Sequence, residues 1–310
     1  MQDFEGKVAV ITGAGSGFGR EFARIGVKLG LRMVLADVQE DALHETYVEV
    51  SEAGTQAIIQ RVDVSKPEDI EALARTTIDT YGIVHLVFNN AGVGGNGGLL
   101  WENSERDWNW VLGVNLGGVI HGVRVFTPLM LEAARRDPAY RAHIVNTASM
   151  AGLVNAPLMG SYNASKHAVV SLTETLHHDL SLVTDQIHCS VLCPYFVPTG
   201  ISQAHRNRPE ALRNETPKTL SQRVAQALGE KAVKSSKVSA ADVAGFVFDA
   251  IRAQAFYIYS HPHALAPVQA RFDDILASRN PTDPYAERPA VRSGIVEALR
   301  GGAAGPASGQ

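Results

Sequence analysis

The chain contains few cysteines. Its 310 residues include two, Cys189 and Cys193, which would face the same side of a strand at a spacing too wide for an easy disulfide. A metal site would need more ligands nearby. We interpret both as buried, inert thiols, the usual state of free cysteine. We therefore expect no metal centre and a reducing, cytoplasmic environment.

Excess charge and long hydrophobic runs are also lacking. The net charge of -4 gives no indication of binding to nucleic acid or to an anionic membrane surface. No apolar run approaches the ~20 residues of a membrane-spanning helix. Residues 1–7 show no basic region followed by an apolar stretch, so we expect no signal peptide. With 45% hydrophobic and 19% charged residues, the composition is ordinary for a soluble globular protein.

Apolar runs that alternate with helical segments predict the fold class. The strands are predicted at 7–12, 32–37, 56–62, 85–89, 143–148, 187–192 and 257–259. The helices are predicted at 22–29, 40–53, 67–81, 108–135 (with a break or kink near Pro128) and 162–183. This alternation is typical of βαβ units. It indicates an α/β protein with a single Rossmann-like, doubly wound parallel sheet and helices on both faces.

The predicted organisation is one catalytic domain over residues 1–300, with two additions. The 196–237 segment is polar and rich in Arg, Pro, Asn and Lys, and it interrupts the alternation as a substrate lid or helical insertion would. Residues 260–300 form a C-terminal extension. The tail at 301–310 consists of small residues, and we expect it to be disordered.

A glycine-rich turn lies between the first predicted strand and the first predicted helix. Gly13, Gly17 and Gly19 would let the backbone turn tightly and approach a pyrophosphate. Ser16 and Phe18 complete the turn, and the N–H groups at the start of the helix would bind the phosphate charge. The turn therefore predicts a nucleotide site.

Asp37 ends the second predicted strand, 18 residues beyond Gly19. An acid at this distance is placed to bind ribose hydroxyls. Its carboxylate would repel the 2′-phosphate of NADP, and the neighbouring Ser16 and Val38 are neutral rather than basic. We therefore predict NAD as the cofactor, in preference to NADP.

Tyr162 and Lys166 are four residues apart on a predicted helix, so their side chains would share one face. A free tyrosine titrates near pH ~10 and a lysine near ~10.4. A neighbouring cation favours the phenolate, so we expect Lys166 to lower the pKa of Tyr162. Such a phenol would serve as proton donor and acceptor for an alcohol and its ketone.

In combination these features resemble the short-chain dehydrogenase/reductase family, in its compact form with Tyr-x-x-x-Lys. The similarity runs from about residue 4 to residue 198 and continues more weakly to about residue 259. The further motifs that carry it are Thr12-Gly13-x-x-x-Gly17-x-Gly19, Asp63-Val64, Asn89-Asn90-Ala91-Gly92, Asn115, and Ser149 placed 13 residues before Tyr162.

The chain departs from the family pattern in two places. Pro194-Tyr195 stands where the family often has Pro-Gly, and Phe18 replaces a small aliphatic residue. Val197 and Thr199 still match positions whose backbone and hydroxyl contact the cofactor carboxamide. The chain also exceeds the usual family length, through the 196–237 segment and the C-terminal extension.

The resemblance implies hydride transfer between NAD and the carbinol carbon of a secondary alcohol. It implies that Tyr162 is the acid/base, and that Lys166 lowers the pKa of Tyr162 and binds the nicotinamide ribose. It also implies that Ser149 hydrogen-bonds the substrate oxygen and that Asn115 holds a water that links Lys166 to solvent. Together with the glycine-rich turn and Asp37, the resemblance predicts the full set of cofactor contacts. They are Gly13, Ser16, Gly17, Phe18, Gly19, Asp37, Asp63, Val64, Asn90, Ala91, Gly92, Tyr162, Lys166, Pro194, Val197 and Thr199.

By the same analogy, the substrate pocket would draw on Gly94, Gly95, the 151–159 loop, Tyr195 and the lid. Apolar residues dominate the 151–159 loop, with Asn155 as the exception. We therefore predict a hydrophobic, aromatic or cyclic secondary alcohol, or its ketone, as the substrate. The pocket residues predicted to contact it are Ser149, Asn155, Tyr162 and Tyr195.

Two other functions are compatible with the resemblance. One is a catalytically silent, NAD-binding regulator, which the intact Ser149, Tyr162, Lys166 and Asn115 disfavour. The other is an epimerase or dehydratase of the extended family, whose relatives usually have a different glycine spacing and a larger C-terminal domain. Family members are commonly tetramers built through helices that correspond to 107–135 and 161–183. The predicted partners are therefore a small-molecule substrate and further copies of the chain (dimer or tetramer), with no nucleic acid and no membrane.

Overall fold

A seven-stranded parallel sheet runs through the chain, which is described over residues 1–301 in a computed structural model. The strands are β1 (Val8–Thr12), β2 (Arg32–Asp37), β3 (Ala57–Arg61), β4 (Leu86–Asn89), β5 (Ala142–Thr147), β6 (Ile187–Cys193) and β7 (Tyr257–Tyr259). Their order across the sheet is β3-β2-β1-β4-β5-β6-β7. This order confirms the predicted doubly wound fold, and each strand begins and ends within one residue of its predicted bounds.

Helices cover both faces of the sheet. They are α1 (Gly17–Lys28), α2 (Glu40–Glu52), α3 (Pro67–Tyr81), α4 (Glu105–Leu112), α5 (Gly118–Arg136), α6 (Gly160–Val183), α7 (Leu220–Lys234), α8 (Ala240–Ala253), α9 (Ala266–Leu276) and α10 (Pro289–Gly301). On one face Phe22 stacks on Phe88 at 4.8 Å, and Phe248 of α8 meets both rings edge-on or tilted. On the other face, a second buried cluster includes Phe126 and Leu176.

The helical region predicted at 108–135 is interrupted, but not where the sequence suggested. A break at Pro128 is wrong, because α5 runs through this proline, whereas a kink there stays a prediction. Pro128 removes one helical N–H donor, but the burial of Phe126 and Met130 on either side holds the helix. The interruption lies instead at Gly113–Gly117, which forms a π-helical turn that contains Asn115. Such turns often occur at functional sites.

The 196–237 segment and the C-terminal extension contain helices of their own. The segment forms a 3-10 stretch at Gly200–Asn207, a short turn at Glu210–Leu212, and then α7. The extension contains α9 and α10, which the sequence did not predict. Gly301, assigned to the tail from the sequence, is the last residue of α10. The other tail residues, 302–310, lie outside the described part of the chain.

The stretch Glu105–Arg136 is apolar and long enough to cross a membrane by length and composition alone. It packs beside α3 and α6. Only 33% of its most apolar window is buried within the protomer. Among its large apolar side chains, Ile120 is 39% exposed, whereas Val123, Val125, Leu129 and Leu131 are partly buried against the core.

The site is positioned by the point where the strand order reverses, between β1 and β4. Parallel sheets of this kind bind ligands at this point, at the carboxyl ends of the strands. Here the Thr12 hydroxyl donates to the Phe88 carbonyl at 3.1 Å and accepts from the Asn90 N–H at 2.9 Å. The Asn90 amide donates to the Thr12 carbonyl at 3.0 Å. The ends of the two strands are thus fastened together beside the glycine-rich turn.

Candidate active site

Three glycines of the glycine-rich turn occupy positions that disfavour any side chain. Gly13 and Gly17 have φ of +68° and +53°, which side chains rarely tolerate. A Cβ on Gly19 would overlap the carbonyl oxygen of Gly13. Ser16, the N-cap of α1, makes no side-chain hydrogen bond to the first N–H groups of that helix. These N–H groups can therefore bind an anion.

Asp37 lies beside the same turn. Its carboxylate accepts from the Gly15 N–H at 2.9 Å and from the Gln39 N–H at 2.9 Å. A Cβ on Gly15 would lie 3.0 Å from the Asp37 carboxylate. Strand β2 and the turn thus hold a negative charge next to the anion-binding end of α1, where the sequence predicted it.

Thr199 approaches the turn from the other side. A Cβ on Gly17 would lie 3.2 Å from the Thr199 Cβ. Val197 is buried against the core, and Phe18 packs on the same cluster. The structure therefore brings the segment after β6 against the glycine-rich turn, as the predicted cofactor contacts require.

The remaining predicted cofactor residues line the carboxyl edge of the sheet. Asp63 accepts from the Ser65 N–H and hydroxyl at 3.1 and 2.6 Å, and Val64 packs against Gly118. The Ala91 N–H donates to the Thr12 hydroxyl at 3.2 Å. The Pro194 carbonyl accepts from the Met150 N–H at 2.9 Å.

Lys166 is buried, with 2% of its surface exposed. Its ammonium donates to the Thr147 carbonyl at 2.8 Å and lies 5.8 Å from the ring centroid of Tyr162. A Cβ on Gly92 would lie 3.5 Å from the ammonium and 3.4 Å from the Asn115 Oδ1. Helix α6, the π-helical turn and the loop after β4 thus meet at Lys166.

Asn115 is fully buried, and its amide is bound within the protein. Its Oδ1 accepts from the Val93 N–H at 2.8 Å, while its Nδ2 donates to the Val93 carbonyl at 3.0 Å and to the Ser165 hydroxyl at 3.1 Å. An amide can make four hydrogen bonds, so one lone pair on Oδ1 is left beside Gly92. The predicted water-holding role of Asn115 stays a prediction.

Ser149 follows β5 and is held in place by its neighbours. Its hydroxyl donates to the Pro194 carbonyl at 3.3 Å and accepts from the Ala151 N–H at 3.1 Å. It also interacts with the Tyr162 hydroxyl, and this interaction lowers the pKa of the tyrosine. Ser149 and Tyr162 can therefore reach one substrate oxygen together.

The electrostatics of the pair differ from the expectation. Burial raises the pKa of Tyr162 above its ordinary value, and the Ser149 contact opposes that rise. Burial lowers the pKa of Lys166 to about 8. The expected lowering of the tyrosine pKa by Lys166 is therefore not found, because removal of the phenolate from water dominates and the opposing effect comes from Ser149.

The predicted substrate residues Asn155 and Tyr195 lie further out. Asn155 is exposed and lines an open groove of about 350 Å³ beside the start of α6, with Leu100, Pro157, Leu158 and Pro284 among its other walls. Tyr195 is 37% exposed, and its ring meets that of Phe196 edge-on at 4.8 Å. Its N–H donates to the Ser260 hydroxyl at 2.9 Å.

Sequence reasoning missed Thr147 and Ser165. Thr147 supplies the carbonyl that binds Lys166, and its hydroxyl donates to the Asn90 amide oxygen at 3.3 Å. Ser165 accepts a hydrogen bond from Asn115. The position of Thr147, polar at the carboxyl end of a buried strand, was an available signal. No pattern in the sequence pairs Ser165 with Asn115.

Comparison with known proteins gives consistent matches. The short chain dehydrogenase family matches residues 7–210. A crystal structure of a short chain dehydrogenase/reductase from Burkholderia phymatum in complex with NAD is 57% identical, with a TM-score of 0.89, and the match covers 92% of this chain and 99% of that one.

Two curated relatives are dehydrogenases. The 1-deoxy-11-beta-hydroxypentalenate dehydrogenase of Streptomyces exfoliatus is 34% identical, over 87% of this chain and 88% of the relative. The cyclohexanol dehydrogenase of Acinetobacter sp. (strain SE19) is 36% identical, over 55% of this chain and 66% of the relative.

The close packing of the glycine-rich turn predicts the effect of Gly19→Ala. The added methyl would collide with the Gly13 carbonyl and displace the turn, so dinucleotide binding should be lost. Gly245→Ala in α8 is the matched control, because a Cβ there meets nothing within 4 Å. It should preserve binding and raise stability by up to ~1 kcal/mol. Titration of intrinsic fluorescence with NAD and thermal unfolding measure both effects, and unchanged affinity in Gly19→Ala would contradict the prediction.

Proposed function

Because the chain belongs to the short-chain dehydrogenase family, we propose that it is an NAD-dependent oxidoreductase that interconverts a secondary alcohol and its ketone. The family membership shows that the chain is an oxidoreductase. The cofactor, the substrate class and the residue roles are our proposals. The observation that carries them is the convergence of Tyr162, Lys166 and Ser149 at the same sheet edge as the glycine-rich turn.

The residues at this edge fit a nicotinamide dinucleotide. The turn has no room for a side chain at Gly13 or Gly19, and the N–H groups of α1 suit a pyrophosphate. The adenine side and the floor of the pocket would be lined by Asp63, Val64, Asn90, Ala91 and Gly92. The carboxamide side would be lined by Pro194, Val197 and Thr199. The bound cofactor would supply the hydride acceptor for an alcohol and the hydride donor for a ketone.

Asp37 supports NAD over NADP. Its two oxygens already accept backbone N–H bonds, which fixes the carboxylate at the end of β2. A fixed negative charge there would bind ribose hydroxyls and repel a 2′-phosphate. The Burkholderia phymatum structure, which contains NAD, is consistent with this preference.

Tyr162 would take the proton of the alcohol in oxidation and return it to the ketone in reduction. Ser149 would turn its hydroxyl hydrogen from the Pro194 carbonyl to the substrate oxygen and stabilise the charge that develops there. Lys166, held by Thr147, would bind the nicotinamide ribose. The free lone pair of Asn115 beside Gly92 would hold the water that connects Lys166 to solvent.

The loop before α6 supports an apolar substrate. Leu100, Pro157 and Leu158 line the groove beside the start of α6, and Asn155 is the polar side chain among them. Tyr195 and Phe196 add aromatic surface. A hydrophobic, aromatic or cyclic secondary alcohol fits this chemistry, and the named relatives act on a hydroxypentalenate and on cyclohexanol.

Removal of the Tyr162 hydroxyl tests the proposed chemistry. Wild type should reduce NAD in the presence of secondary alcohols, with NADP a poorer cofactor. Tyr162→Phe should lose activity by ~10²–10⁴-fold, because general acid–base catalysis contributes this much, while NAD affinity is retained. Tyr257→Phe is the matched control, since it removes the hydroxyl of an exposed tyrosine that bonds Glu174.

The assay measures absorbance at the reduced-nicotinamide band with a panel of secondary alcohols and both cofactors. Equal activity of wild type and Tyr162→Phe would contradict the role of Tyr162. Tight NAD binding without turnover on any alcohol would favour a catalytically silent regulator instead.

Ser149→Ala should change the pH dependence as well as the rate. Ser149 lowers the pKa of Tyr162, so its loss should raise that pKa. Oxidation requires the phenolate, and the alkaline rise in kcat/KM should therefore move to higher pH. The rate itself should fall by ~10²–10³-fold with the loss of one donor to the substrate oxygen. A pH profile of kcat/KM for alcohol oxidation tests the shift, and an unmoved alkaline limb would contradict it.

We also propose that the protein is a homo-oligomer built through residues 107–135 and 161–183. Only 33% of the most apolar window within Glu105–Arg136 is buried in the protomer, and a partner copy would cover the exposed Ile120 on this stretch. Sedimentation velocity should give a dimer or tetramer of the 33.2 kDa chain. A single species of 33.2 kDa would contradict this proposal.

A further inference from the structure

A buried carboxylate outside the proposed catalytic group, Asp107, joins three separate parts of the chain. Asp107 and Arg208 form an ion pair at 2.6 Å, with 1% and 6% of their side chains exposed. Asp107 lies at the start of α4, and Arg208 lies in the segment after β6. Isolated charges are almost never buried, because each costs several kcal/mol to desolvate. The pair therefore requires an explanation.

Asp107 first caps its own helix. Its Oδ2 accepts from the Ser104 N–H and hydroxyl, both at 2.9 Å, while the Ser104 hydroxyl accepts from the Asp107 N–H at 3.1 Å. This reciprocal arrangement is a capping box. A capping box needs neither burial nor a buried cation, so it does not account for Arg208.

The other Asp107 contacts come from the two proposed walls of the substrate pocket. Asn96, in the 94–98 loop after β4, donates to Asp107 Oδ1 at 2.7 Å. Asn214 donates to both carboxylate oxygens at 3.1 Å, and it accepts from Arg208 at 3.2 Å. One carboxylate thus holds the 94–98 loop and the 207–214 stretch in a fixed relation.

Arg208 is held on its other sides as well. Its Nε donates to the Leu212 carbonyl at 2.6 Å, and its guanidinium lies 5.0 Å from the ring centroid of Trp110. Below the pair, Val93, Trp110, Val111 and Ala204 form a small buried cluster with Leu212. The 200–214 segment is therefore docked by both an ion pair and apolar contacts.

The docked segment reaches both proposed binding regions. A Cβ on Gly94 would lie 3.6 Å from the Ile201 carbonyl oxygen, and the segment begins directly after Thr199, which packs on Gly17. A movement of the 200–214 segment that separates Arg208 from Asp107 would leave the carboxylate buried without its cation. This cost restricts the segment to positions in which the pair is intact.

We propose that Asp107 and Arg208 are positioning residues that hold the 200–214 segment against the 94–98 loop and so set the width of the substrate pocket. The proposal rests on the proposed dehydrogenase function. Glu102, which accepts from Thr219 at 2.6 Å and from Ser221 at 2.5 Å, fastens α7 separately. The 200–214 segment is held by the Asp107–Arg208 pair, by its apolar contacts and by a hydrogen bond from Arg106 to the Arg213 carbonyl at 2.8 Å.

The test compares Asp107→Asn with Asp242→Asn. Asp242 forms the same capping box with Ser239 at the start of α8, but it is exposed and none of its hydrogen bonds comes from another segment of the described chain. Asp107→Asn and Arg208→Gln should each raise KM for the alcohol by about tenfold or more, as expected for the loss of a charge-assisted hydrogen bond. The change in kcat should be smaller.

The double variant, Asp107→Asn with Arg208→Gln, should be no worse than either single variant, because the two residues act as one unit. Arg208→Lys keeps the charge and should recover part of the lost affinity. It also serves as the test variant if Asp107→Asn does not fold. Asp242→Asn should leave KM unchanged.

Hydrogen exchange of the cofactor-free protein gives a readout independent of turnover. Asp107→Asn should increase amide exchange within residues 200–214 and leave β1 and α6 unchanged. Faster exchange there without turnover in wild type would support the docking role and overturn only the dehydrogenase function. Unchanged exchange at 200–214 in Asp107→Asn would overturn the proposal. An unchanged KM, with only a loss of thermal stability equal to that of Asp242→Asn, would also overturn it and show that Asp107 is a simple helix cap.

Discussion

The hydrogen bond from the Lys166 ammonium to the Thr147 carbonyl, 2.8 Å long, is the contact on which the site depends. A buried cation needs an acceptor, because its desolvation is otherwise uncompensated. The carboxyl end of β5 supplies that acceptor. This contact fixes helix α6 against the sheet edge and places Tyr162, one turn earlier on the same helix, above the strand ends. Without this contact, the position of the Tyr162 phenol relative to the glycine-rich turn would not be fixed.

The same contact continues into a chain of polar groups. The Thr147 hydroxyl donates to Asn90, Asn90 donates to the Thr12 carbonyl, and Thr12 precedes the glycine-rich turn. The proposed proton-transfer group and the proposed dinucleotide site are thus linked through three strand ends. Around this rigid edge, the protein adds a segment held by Asp107 and Arg208. The catalytic constellation belongs to the sheet, whereas the proposed width of the substrate pocket is set by a separately docked element.

Much of this arrangement was predictable from the sequence, because it depends on local pattern. The strand runs, the glycine spacing and the Tyr162–Lys166 spacing are short-range features, and they predicted the fold and which residues meet. Other features depend on tertiary contacts. The π-helical turn at Asn115 replaced a break expected at Pro128, because neighbouring burial decides which irregularity a helix tolerates. The expected direction of the Tyr162 pKa shift was wrong, because burial, which no spacing reveals, raises this pKa. The Asp107–Arg208 pair joins residues 101 positions apart, and no pattern in the sequence pairs them.

The most direct test of the account follows the transferred hydrogen. Wild-type protein is incubated with NAD and the best secondary alcohol of the panel, carrying deuterium on its carbinol carbon, and the reduced cofactor is analysed by mass spectrometry. The account predicts that deuterium appears in the reduced nicotinamide and that the single-turnover rate falls relative to the unlabelled alcohol. Reduced nicotinamide without deuterium would show that the carbinol hydrogen is not transferred. That result would contradict the proposal that this site carries out hydride transfer between a secondary alcohol and NAD.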